Sequence, residues 1–150
     1  MMDLSSSSPL SLFRRYARRG RPQTFDLAPR PLKPAPIDPS CIEEGTPIAS
    51  GTTFAESPDR RLSSGLWECT AGKFKVDFPL DEIIHILAGE VIVHEEGDRG
   101  VYTLRPGDAA YFPLGLVTHW EVPRFVRKFF VVRVPGGSPR IARARQRLGV

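Results

Sequence analysis

Between about Ala49 and Val134 the chain is a succession of short β-forming stretches cut by explicit turns, and that rhythm confines it to an all-β architecture. Runs rich in Val, Ile, Phe and Trp predict strands at Leu62–Cys69, Phe74–Phe78, Ile83–Leu87, Glu90–His94, Gly100–Leu104, Ala109–Phe112, Thr118–Val122 and Arg127–Val134. The predicted turns are Thr70-Ala71-Gly72, Ala88-Gly89, Glu96-Gly97-Asp98-Arg99-Gly100, Arg105-Pro106-Gly107-Asp108 and Pro113-Leu114-Gly115. Pro followed by Gly suits a type II turn, because Pro fixes φ and Gly accepts a positive φ.

The charge divides the chain into parts. Residues 1–21 carry +4, residues 22–123 carry −8 and residues 124–150 carry +8. We therefore expect a basic Ser/Arg-rich arm at 1–21, disordered or in a short helix capped by Ser11, and a basic tail at 137–150. The arm's acid-poor makeup also resembles an organellar transit peptide. Seven prolines between Pro22 and Pro47 predict an irregular strap over 22–48, leaving 49–136 as the barrel domain. No apolar run approaches the roughly 20 residues of a membrane span. The basic ends lack interleaved aromatics or a recognisable motif, so nucleic acid is not an expected partner. Cys41 and Cys69 are too few for a disulfide framework, and with no secretory signal a reducing, cytoplasmic setting is expected.

Glu82 and Gly89 enclose six residues, and Gly107, Pro113 and Gly115 spell Gly, five residues, Pro-x-Gly. These segments resemble the two signature motifs of the cupin superfamily. Leu66–Phe74, His119-Trp120-Glu121-Val122, Ile37–Ser40 and Val126-Arg127-Lys128 are similar to the small single-domain cupins grouped with the (S)-ureidoglycine aminohydrolase cupin domain. The resemblance covers roughly residues 37–134. It implies a double-stranded β-helix, or jelly-roll barrel, behind the Pro-rich extension. It also implies a metal site of three His and one Glu, suited to a divalent transition metal.

Carried over position by position, most of that metal site is missing. The first-motif His positions fall on Val76 and Phe78, or in the shifted register on Lys75 and Asp77, and the second-motif His falls on Thr118. Only Glu82 remains. Strands send alternate residues to opposite faces, so an inward Glu82 brings Ile84 and Ile86 inward and sends His85 out. Likewise an inward Thr118 brings Trp120 in and sends His119 out, unless a bulge near Val117 reverses the register. No cofactor is expected; were a metal bound, Glu82 and His119 would be its candidate ligands. The expected pocket is Phe78, Glu82, Ile84, Tyr111, Thr118 and Trp120, with Trp67 in the core and Cys69 a buried structural thiol. No catalytic residue is assigned. The reading is a barrel that binds a small molecule; the alternative is a metal-dependent aminohydrolase of the ureidoglycine type. Apolar strand runs such as Phe129-Phe130-Val131-Val132 suggest a homodimer, with Phe125, Phe129 and the strap at its interface.

Overall fold

A computed structural model describes residues 20–135. The expected arm, disordered or in a short helix capped by Ser11, and the basic tail lie outside the described residues, apart from the arm's last two. The strands are β1 (Lys33–Pro34), β2 (Ile42–Glu44), β3 (Ala49–Glu56), β4 (Leu62–Asp77), β5 (Asp81–Gly89), β6 (Val91–Glu95), β7 (Val101–Leu104), β8 (Ala109–Phe112) and β9 (Val117–Arg133). One 3-10 turn, Pro39–Cys41, precedes β2; Asp38 caps it by accepting from the Ser40 N–H.

Two long strands organise the rest. β4 and β9 pair antiparallel from Leu62↔Arg133 to Asp77↔Val117. The first half of β4 and the second half of β9 belong to one sheet, ordered β1-β3-β4-β9-β5-β8. Their other halves join β2, β6 and β7 in a facing sheet, with Ile92↔Glu121 and Ile42↔Phe74 among the pairs. This is a jelly-roll barrel, as the sequence predicts.

Its strands are longer than predicted. Thr70-Ala71-Gly72 does not turn the chain; the β4–β9 register slips between Thr70 and Gly72, and the strand bends through a bulge. Pro123 likewise sits inside β9. A bulge accommodates the same turn-forming residues while letting one strand serve two sheets. At Ala88-Gly89 the predicted turn is real. Gly89 has φ +71, and a Cβ there would lie 1.9 Å from the Phe125 carbonyl oxygen, so only glycine fits against β9.

The core lies between the sheets. Phe78 stacks on Phe112 with centroids 4.7 Å apart, and Trp120 contacts Phe112 at 5.7 Å and Phe74 at 6.1 Å. Ile84, Ile86, Val91, Val126, Phe130 and Val132 complete it with essentially no exposure. The strap adds Ala35 and Ile37 at its edge. No helix among the described residues is long and apolar enough to cross a membrane.

Candidate functional site

The interior of the first sheet holds an ion pair. Glu82 on β5 and Lys128 on β9 are 4% and 6% exposed, and Lys128 Nζ donates to Glu82 Oε1 at 2.6 Å. Strand alternation places both: Lys128 shares its face with Val126, Phe130 and Val132, and Glu82 shares its face with Ile84 and Ile86. The ammonium also lies 5.0 Å from the Trp67 ring centroid and 4.8 Å from that of Trp120. Two aromatic faces and one carboxylate therefore compensate a cation removed from water. Trp67 and Trp120 meet edge to face, 6.2 Å apart.

This group borders a cavity of about 80 Å³. Its walls include Trp67, Phe74, Val76, Trp120, Phe130 and Val132, with Glu82 and Lys128 as its buried charges. Asp38, Cys41, Lys75 and Asp77 also line it, together with the strap residues Ala35 and Ile37. Apolar walls around a few fixed polar groups are the usual makeup of a ligand pocket.

The predicted pocket residues are only partly brought together. Glu82 and Trp120 line the cavity. Phe78 and Ile84 are buried in the core beside it, and Thr118, fully buried, accepts a 3.0 Å hydrogen bond from Trp120 Nε1. Tyr111 corrects an expectation. It is 59% exposed on the outer face opposite Ile83, where its hydroxyl donates to Asp81 Oδ1 at 3.1 Å. In the four-residue β8, Phe112 takes the inward place and alternation turns Tyr111 out. Trp67, expected only in the core, is a cavity wall as well.

Lys128 was missed. A lysine in a strand reads as surface, and both faces of Phe125–Arg133 mix apolar residues with basic ones, so periodicity alone does not mark it. The usable signal was complementary: an inward Glu82 requires a partner, and Lys128 has the parity of buried Val126, Phe130 and Val132.

Cys69 is fully buried and its Sγ donates to the Thr70 carbonyl oxygen at 3.3 Å. Burial pushes the thiol up to about 12 despite nearby Lys128, so it stays protonated and is a poor nucleophile.

The remaining residues do not fit a cupin metal. Val76, Phe78 and Thr118 offer no imidazole, and Glu82 is engaged by Lys128. His119 lies on the face opposite Trp120, its Nδ1 bonded to Glu43 on β2 and its Nε2 to Glu96 at 2.8 Å. Among the described residues no group of three His, Cys, Asp or Glu side chains is arranged to hold a metal ion.

The His119 bracket ties the strap side of the barrel to the turn after β6. Hydrogen bonding to Glu96 holds its imidazole above the ordinary range; burial opposes this, and Glu43 adds to it. Lys75 and His94 are its strand neighbours, Lys73 pairs with Glu44 nearby, and His94 pairs with Glu121. A raised folded value means that the bracket's contribution to stability is complete below about pH 6.5 and is lost as pH rises through the folded value. Urea midpoints measured between about pH 5.5 and 9 should show this fall, and His119→Gln should flatten it. An equal slope in the variant would remove the bracket as its cause.

Two sheets sharing two bent strands, enclosing a charged pocket floor, define a small cupin barrel. The family model of the EutQ-like cupin domain matches residues 56–130, and the chain belongs to that family. Among solved structures it is similar to ethanolamine utilization protein Q from Salmonella typhimurium, at 24% identity and TM-score 0.51 over 57% of this chain and 69% of that one. It is similar to a Pseudomonas syringae protein of unknown function at 25% identity and TM-score 0.63, over 69% of this chain but only 44% of that one. The Clostridium difficile EutQ protein shares the fold at 17% identity and TM-score 0.53, over 63% of this chain and 71% of that one. No curated protein matches the chain.

Proposed function

We propose that this cupin binds a small molecule in its barrel without a metal, using Lys128 as a resident cation where a metal-binding cupin would place its ion. The observation that carries the reading is the buried Glu82–Lys128 pair at the wall of a largely apolar cavity. A buried ion pair seldom adds net stability compared with well-packed apolar residues, so its retention beside a cavity supports a binding role. The chain's two tryptophans both line this cavity, which makes indole fluorescence a direct reporter of its occupancy.

The test is a thermal-shift and fluorescence screen of metals, small carboxylates, amides and ureido compounds on the full chain, accompanied by elemental analysis. We expect less than one metal per chain, and hits that raise the melting temperature and disappear in Glu82→Gln. One tightly held metal per chain, lost in Glu82→Gln, would instead support the ureidoglycine-type aminohydrolase alternative. Hits that survive unchanged in Glu82→Gln would place binding outside this cavity.

The outer face of the first sheet supports self-association. Tyr111, Ile83 and Val131 lie in one row across β8, β5 and β9, with Ile83 53% exposed and half-buried Phe129 adjacent. Such a patch on a sheet favours an isologous homodimer. Sedimentation should show a dimer that Ile83→Lys converts to monomer. A monomeric parent protein, or a variant that remains dimeric, would rule out this face.

A further inference from the structure

The charge balance of the buried Glu82–Lys128 pair, with Asp38, Lys75 and Asp77 elsewhere in the lining, indicates what the pocket accepts, an inference that rests on the binding reading above. An ammonium group carries three N–H donors and a carboxylate has two accepting oxygens. Lys128 uses one donor on Glu82 Oε1, and among the described residues neither its other two donors nor Glu82 Oε2 has a hydrogen-bond partner. The two groups sum to zero charge, are nearly unexposed and border apolar walls. At about 80 Å³ the cavity has room for a group of several heavy atoms, since a single water needs only about 10–15 Å³ of such space.

Each class of ligand meets this pair differently. An anion attracted to Lys128 comes within reach of the Glu82 carboxylate and is repelled. A cation drawn to the open Glu82 Oε2 sits beside the Lys128 ammonium, is repelled by it, and competes with it for the same indole faces. An uncharged ligand with an acceptor beside a donor completes both groups and leaves the buried charge balanced. A planar amide edge carries that pair rigidly, and its flat face suits the indole walls.

We propose that the pocket selects small uncharged ligands presenting an amide edge, with the carbonyl oxygen accepting from Lys128 Nζ and the amide N–H donating to Glu82 Oε2. The three-way comparison is acetamide, acetate and methylammonium at neutral pH. Each is titrated into the full chain while the two indole N–H resonances are followed by NMR. Acetamide should bind at least tenfold more tightly than either ion. Glu82→Leu/Lys128→Met removes both groups without leaving a lone buried charge, and should lose the preference for acetamide. If acetate or methylammonium equals acetamide, or the double variant keeps the preference, the inference is overturned while binding in the barrel stands. If none of the three probes moves an indole signal but another screened molecule does, the ligand class is wrong. If no molecule does, the binding reading falls with it.

Discussion

Lys128→Ala should lower the free energy of unfolding by about 3–5 kcal/mol, because it leaves Glu82 buried and uncompensated. The side chain removed is 6% exposed, bonded to Glu82 at 2.6 Å and set against two indole faces. A loss of that size is a large fraction of the roughly 5–15 kcal/mol that holds a typical domain together. Glu82→Leu should cost a comparable amount through the orphaned ammonium. Glu82→Leu/Lys128→Met should then recover most of the loss or exceed the parent, since apolar replacement of a whole buried pair is often neutral or stabilising. Urea unfolding of the parent, Glu82→Leu, Lys128→Met and the double variant gives a double-mutant cycle. Additive single losses, with no recovery in the double variant, would show that the pair is not coupled as its geometry requires.

Trp120→Ala should be as damaging, at about 3–5 kcal/mol, for a different reason. Trp120 is 2% exposed and joins the facing sheets through Trp67, Phe74 and Phe112, at centroid distances of 6.2, 6.1 and 5.7 Å. Truncation opens a void that two hydrogen-bonded sheets can close only partly, and it removes one of the two rings facing Lys128. Trp120→Phe keeps most of the packing but leaves the buried Thr118 hydroxyl without its Nε1 donor, so its cost should be the smaller. Circular dichroism during urea unfolding separates the two variants. An alanine loss no larger than the phenylalanine loss would show that the ring does not bridge the sheets.

The barrel was legible because its turns are written in Pro and Gly, and turn chemistry acts within four residues of itself. Gly89 shows how far that goes: its motif spacing named it, and the close approach of Phe125 explains it. Glu82 was legible for the same reason, since spacing to a fixed turn sets its parity on β5. Tyr111 was misplaced because a motif gives the neighbourhood of a strand, while its face is settled by pairing: Phe112, opposite Glu82, points in. The joining of 62–69 with 74–78 into one strand was hidden because a bulge uses the same residues as a turn, and only the presence of β9 alongside decides between them. Lys128 was hidden for a longer-range reason. Its burial depends on Glu82, 46 residues earlier, and on indoles from two other places in the chain. The segment 33–44, read as an irregular strap, contributes β1, a locally capped 3-10 turn and β2, the two strands being held by partners further along the sequence.

The continuous pairing of β4 with β9 has a bearing on traffic into the barrel. Both strands run through both sheets, so the walls of the pocket cannot part without tearing the ladder that holds the whole domain. The strap is fixed by shorter elements: two-residue β1, three-residue β2, the Lys73–Glu44 and Glu43–His119 contacts, and the packing of Ala35 and Ile37. Exchange of the small molecule proposed for the cavity should therefore be governed by the proline-rich segment more than by the barrel strands. Changes at Glu43, which does not line the cavity, should alter how fast the proposed ligand comes and goes while leaving the cavity walls in place.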